Sequence, residues 1–234
     1  MNTMVAGNVA RGGGTLKFGR LARVYRWMEG LTFGPYLWRC RCAFLEEMAE
    51  AQETLALGDG DGRFTAALLK RNRQVRVNAV DVSEAMLRSL RRRAGADEGR
   101  VRTEARDVRE WSPAEAEYDL VVTHFFLDCL TTEDVRRLAE RLKANLRPGA
   151  RWVVSEFAVP SGWFGRWVAR PVVGFLYRAF GVLTGLKVRR LPEWELALKA
   201  AGFRRIQERG SLGGLLTSQM WMAETSEPSR FAQL

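Results

Sequence analysis

The chain has 234 residues, of which 47% are hydrophobic, and 37 lysines and arginines outnumber 27 acids to leave a formal net charge of +10. That length and apolar content suit one α/β domain with additional helices, and exclude a disordered chain or a mini-protein that needs staples. Three cysteines, Cys40, Cys42 and Cys129, are too few for a disulfide framework, and with a single histidine, His124, they do not compose a zinc or iron site.

Residues 1–17 are Gly-rich, lack an apolar run of the secretory kind, and are expected to be disordered. Residues 18–50 read as helices. Phe18, Leu21, Val24, Tyr25 and Met28 recur at helical spacing, and Gly34-Pro35 breaks the pattern before a second helix carrying Leu37, Phe44, Leu45 and Met48. From Glu53 the pattern alternates. Thr54–Leu57 is a strand running into glycines, Phe64–Asn72 a helix, Val75–Val80 a strand, and Ser83–Arg93 a helix capped by Ser83. Val101–Ala105 and Tyr118–Thr123 are strands. Thr132–Leu146 is a helix with Thr132 as its cap, and Arg147-Pro148-Gly149 turns into the strand Arg151–Phe157. Residues 161–186 are Gly-, Trp- and Arg-rich and read as a helical insertion. Pro192–Ala201 is a helix ended by Gly202, Phe203–Arg209 and Leu215–Ala223 form an edge hairpin, and residues 225–234 are a loose end. Strand–helix alternation over 53–157 predicts a doubly wound, mostly parallel sheet of the Rossmann-like kind, seven-stranded with an antiparallel C-terminal edge, within one domain spanning 18–224.

The loop Gly58-Asp59-Gly60-Asp61-Gly62 sits between a strand and a helix, where glycines permit a sharp turn and close approach of backbone to a ligand. A dinucleotide fingerprint would place its third glycine at Arg63, and two carboxylates in the loop would repel a pyrophosphate at the helix N-terminus. A sulfonium cofactor with a free amino group meets no such repulsion. Asp81 ends the second strand, where its carboxylate can accept from both hydroxyls of a ribose or else cap the next helix. Asp107 follows the third strand and can accept from an adenine amino group or stand as a surface acid.

With these residues in place, Leu55–Phe157 resembles the cofactor-binding half of class I S-adenosylmethionine methyltransferases. The matching parts are the Gly58–Gly62 loop, Asp81, Asp107, the strand Asp119–Thr123 and the Arg147-Pro148-Gly149 turn. The resemblance implies S-adenosylmethionine as cofactor, S-adenosylhomocysteine as product, and a binding set completed by Val82, Met86, Val108 and Thr123. It departs at Ala56, where such loops often carry an acid, so recognition of the methionine amino group falls to Asp59, Asp61 or backbone carbonyls. Tyr25-Arg26-x-x-Glu29, Phe33-Gly34, Leu183-Thr184-Gly185-Leu186 and Ala201-Gly202-Phe203 look similar to the flanks of quinone and phosphatidylethanolamine methyltransferases.

Methyl transfer demands alignment and a nucleophile with a free lone pair, and a general base helps a phenol, an amine or a ring carbon. His124 after strand four and Glu156 at the end of strand five are the candidates for that base; the alternatives are a structural histidine and a hydrogen-bonded acid. Tyr25, Phe33, Trp163, Phe175 and Tyr177 are read as substrate or lid residues, with Tyr25 otherwise an aromatic core position. Trp163–Leu186 carries Arg166, Arg170 and Arg178, which interrupt it as a membrane span; it reads either as an interfacial segment for an anionic membrane or as a buried helix with solvated arginines. The expected partner is a small apolar or amphiphilic acceptor, and the expected location cytoplasmic, with peripheral membrane contact. RNA or protein methylation, and a binding module without turnover, are the competing readings. The first lacks any added nucleic-acid module, and His124-Phe125-Phe126 stands where an amide-binding signature would be.

Overall fold

The computed structural model describes residues 34–113, 118–158 and 192–224. The helix expected before residue 33, the insertion 161–186 and both chain ends lie outside the described residues, and with them Tyr25, Phe33, Trp163, Phe175 and Tyr177. Within them, chain order is α1 (Gly34–Arg41), β1 (Glu53–Leu57), α2 (Arg63–Arg71), β2 (Arg76–Asp81), α3 (Glu84–Ala94), β3 (Val101–Ala105), β4 (Tyr118–His124), α4 (Thr132–Lys143), β5 (Leu146–Phe157), α5 (Trp194–Ala200), β6 (Phe203–Ser211) and β7 (Leu216–Ala223).

The seven strands form one sheet in the order β3-β2-β1-β4-β5-β7-β6. The first five pair in parallel, and β7 is antiparallel to both β5 and β6. This is the Rossmann-like fold with an antiparallel edge that the alternation predicts. Both faces are covered, which is why the central strands are apolar at nearly every position. Leu55, Leu57, Val121, Trp152 and Val154 pack under α4 and α5, while Ala56, Val77, Val122 and Val153 pack under α2, α3 and the segment after α1. From β1 the chain winds outward through β2 and β3, then returns to β4 on the other side. That reversal opens a crevice at the carboxyl ends of β1 and β4, the usual ligand position in sheets of this kind.

Three local details differ from the sequence reading. Helix α1 ends at Arg41 and does not run to Met48: Ala43, Leu45, Ala49 and Ala51 each donate to the carbonyl three residues back, a tighter winding that still buries Phe44 and Met48. The cap of α4 is Thr131, not Thr132. Its hydroxyl accepts from Asp134 N–H while the Asp134 carboxylate accepts back from Thr131, a reciprocal capping box. Strand β5 begins at Leu146, so Arg147-Pro148-Gly149 lies inside the strand, where the register with β4 shifts. Among the described residues no helix is long and apolar enough to cross a membrane.

Candidate functional site

The carboxyl ends of β1, β2 and β4 are level, with Leu57 beside both Val80 and Thr123. The Gly58–Gly62 loop leaves β1 there, and its three glycines all take positive φ. Gly58 N–H donates to Val80 O at 2.9 Å, so the loop is tied to the tip of β2, and Gly60 N–H is turned toward the Asp81 carboxylate. Gly62 is crowded: a Cβ there would lie 2.8 Å from Leu90 Cα, so α3 packs directly on the loop. At Gly60 a Cβ would meet nothing within 4 Å, which leaves the crest of the loop open.

Asp81 also accepts from Ser83 N–H at 2.8 Å, and its burial raises its pKa. The side chain of Val82 next to it is 64% exposed, and Met86 is half-buried on the first turn of α3. Arg106 N–H donates to Asp81 O at 3.1 Å, which brings Asp107 alongside. The Asp107 carboxylate is gripped by Arg109 through Nε and Nη2, and that guanidinium holds its pKa low. Val108 is buried in the core under α4.

The two loop acids face different partners. Asp59 Oδ2 accepts from both the N–H (2.9 Å) and the hydroxyl (2.7 Å) of Thr65, which caps the first turn of α2. Burial raises the Asp59 pKa to about 6 against those two bonds. Its Oδ1 has no hydrogen-bond partner among the described residues. Asp61 turns to α3, where its carboxylate lies 2.9 Å from Arg93 Nη2 and 3.4 Å from Arg63 Nε.

At the ends of β4 and β5 alternate side chains enter opposite layers. Thr123 Oγ1 accepts from Trp152 Nε1 at 3.0 Å and is 1% exposed. His124 points the other way, edge-on to the Phe64 ring at 4.2 Å between centroids, with Nδ1 2.9 Å from Ser155 Oγ. Ser155 in turn bonds Cys40 O and Ser218 Oγ, so this buried polar chain fastens α1 to β4, β5 and β7. Glu156 is fully buried, and its Oε1 accepts from Phe126 N–H (2.9 Å) and Leu127 N–H (2.8 Å), holding the short turn Leu127–Cys129 after β4. Burial and the neighbouring Asp128 charge push its pKa well up.

The sequence reading missed Ser155, Cys40 and Phe126 as parts of this assembly. Ser155-Glu156 is a polar pair inside an apolar strand, a signal for a buried network; the ring of Phe126, which lies against Gly58, had only its position after β4 to mark it.

Desolvation lowers the His124 pKa from 6.5 to about 3. Because the chain has one histidine, imidazole NMR signals are unambiguous. They are expected to stay those of a neutral ring from pH 8 down to about pH 4. The folded pKa lies below the unfolded one, so the unfolded chain binds the proton first. The histidine's contribution to stability is complete above pH 6.5 and is lost as pH falls toward 3. An inflection near 6.5 in the folded protein would contradict the burial described.

Residues 54–149 match the methyltransferase domain family. A trans-aconitate 2-methyltransferase from Azoarcus sp. (strain BH72) is 37% identical over 100 residues, which is 43% of this chain and 37% of that protein's length. In three dimensions the chain is similar to an O-methyltransferase family protein from Burkholderia thailandensis, with TM-score 0.68 and 15% identity over 90% of this chain and 64% of that one. It is also similar to an N-methyltransferase from Bradyrhizobium japonicum WM9 solved with S-adenosyl-L-homocysteine, with TM-score 0.55 and 14% identity over 91% and 89% of the two chains. At such identities the structural likeness is one of fold. The chain spans less than two thirds of the length of the first two of these relatives. Over residues 54–149, then, the chain is similar to a methyltransferase domain, carried on a Rossmann-like sheet.

Proposed function

We propose that the protein transfers a methyl group from S-adenosylmethionine to a small-molecule acceptor. The observation that carries this reading is the joined pair of the Gly58–Gly62 loop and the β2 tip with Asp81, tied by Gly58 N–H to Val80 O at the reversal point of the sheet. The residues present suit an adenosyl sulfonium. The open crest at Gly60 admits a ligand against backbone, and exposed Val82 offers an apolar face for a base. Asp81 would accept from the ribose hydroxyls. Asp59 Oδ1 is the best-placed carboxylate oxygen for the methionine amino group, because Asp61 is engaged by two arginines. Asp107 would reach an adenine amino group only by sharing its carboxylate with Arg109. When bound, the cofactor supplies an electrophilic methyl group.

The rest is positioning by this chain's own residues. The geometry favours a structural His124 over a basic one, since its Nδ1 is held by Ser155 and its Nε2 is buried. Glu156 orders the turn that seats Phe126 against Gly58, and so shapes the floor of the crevice. An acceptor whose nucleophile is already unprotonated, or becomes so in water, needs no stronger base than this. O- and N-methyltransferases among the structural relatives support a small acceptor, and the flanking motifs support an apolar or amphiphilic one, such as a lipid amine, a quinone-like ring or a secondary metabolite.

Asp81→Ala is expected to weaken binding of S-adenosylhomocysteine by about 1–3 kcal/mol, the cost of losing charge-assisted bonds to two hydroxyls. Asp81→Asn, which keeps an acceptor for Ser83 N–H, is expected to lose less. Titration calorimetry on the two variants reads both; an unchanged dissociation constant in Asp81→Ala would place the ribose elsewhere.

A further inference from the structure

A second concave surface lies between α1 and α2, on the face of the sheet that carries α3. It encloses about 480 Å³, within the range of small-molecule sites. From α2 it is lined by Arg63, Ala66, Ala67 and Lys70, the spacing that shares one helix face. Trp38 and Arg41 of α1 and Arg93 of α3 complete its walls.

Cations predominate among the charged side chains that line this groove. Some helix arginines elsewhere are matched by acids on their own helix: Arg136 and Arg137 meet Glu133, and Arg88 meets Glu84. Four cations, Arg41, Arg63, Lys70 and Arg93, line the groove, and Arg63 and Arg93 are both bound to Asp61 beside it. Lys70 makes no ion pair among the described residues, and Asp97, the acid whose pKa it helps to lower, is held by Arg100 at 2.7 Å. Arg41 lies over the Phe125 ring at 5.3 Å. Between the cations the surface is apolar. Ala66 and Ala67 are half-buried, and Trp38 is 39% exposed, a large apolar side chain left in the wall.

We propose that this groove binds a phosphate monoester carried on an apolar body. The dianionic head would meet Arg63, Lys70 and Arg93, with guanidinium forks matching phosphate oxygens. The apolar body would lie on Ala66, Ala67 and Trp38. A plain solvated basic face would take the head alone, weakly; an apolar patch would take the tail alone. The groove asks for both on one molecule.

Decyl phosphate, held below its micelle-forming concentration, tests this by titration calorimetry on the full chain, with and without S-adenosylhomocysteine. The readout is direct binding, so its failure is distinct from failure of the methyltransferase reading. Expected is saturable binding in both conditions, at least about ten-fold tighter than inorganic phosphate or decyl glucoside, and weakening as salt rises. Lys70→Glu, at an exposed position remote from the glycine loop, is expected to abolish it with the melting temperature unchanged, and Trp38→Ala to weaken it several-fold. Equal binding of decyl phosphate and decyl glucoside would overturn the proposal, as would indifference to Lys70→Glu. Co-sedimentation with phosphatidic acid vesicles without binding of monomeric decyl phosphate would overturn it too, since the surface would then be a membrane patch and not a small-molecule site.

Discussion

Glu156→Ala is expected to destabilise the fold by about 3–5 kcal/mol, whereas Glu156→Gln stays within about 1 kcal/mol of the parent protein. The carboxyl is the acceptor for Phe126 N–H and Leu127 N–H, with Asp128 N–H also turned toward it. Alanine leaves these donors buried without an acceptor, at about 1–3 kcal/mol each, and adds a cavity at a fully buried site. Glutamine keeps the acceptor oxygen in place. It is also uncharged, and burial beside Asp128 already drives the carboxyl toward its neutral form. Urea unfolding of the three proteins at one pH reads the difference. An alanine variant as stable as the parent would mean that the turn after β4 finds other acceptors.

The second large effect separates two glycines that are two residues apart but opposite in surroundings. Gly62→Ala is expected to cost about 2–4 kcal/mol of stability, from strain at φ +76 and from a methyl group 2.8 Å from Leu90 Cα, backbone that cannot swing aside. Gly60→Ala meets no neighbour, so only the strain of φ +60 remains, about 1–2 kcal/mol. Its methyl group would, however, project where the loop is open to a ligand, so S-adenosylhomocysteine affinity is expected to fall about ten-fold or more while the fold persists. Melting curves and titration calorimetry on the two variants give the two readouts. Equal loss of stability at both positions would show that the crest of the loop is packed in solution.

Most of this architecture is legible in the sequence because the information is local. Short apolar strands alternate with helices from Glu53 to Phe157, and turn residues mark nearly every junction, so the mostly parallel sheet and its antiparallel edge follow from connection rules. The Ser83 cap is local in the same sense. The Thr131 cap was legible too, since Thr131 and Asp134 have capping-box spacing, but the adjacent Thr132 offers a rival hydroxyl. What escapes a sequence reading is where a side chain points once strands pair. His124 and Glu156 both end strands at the crevice, yet the phase of each strand sends one against Phe64 and the other under the turn after β4. The loop acids are visible as carboxylates, but their engagement by Thr65 and Arg93 depends on helix packing 6 and 32 residues away.

We propose that the crevice at the ends of β1 and β2 takes an adenosyl sulfonium and not a dinucleotide. Titration calorimetry of the full chain with S-adenosylhomocysteine and, separately, with NAD tests it most directly. Expected is stoichiometric binding of S-adenosylhomocysteine, weakened by Asp81→Ala and by Gly60→Ala, and no saturable heat with NAD. Tight binding of NAD with no response to S-adenosylhomocysteine would contradict it.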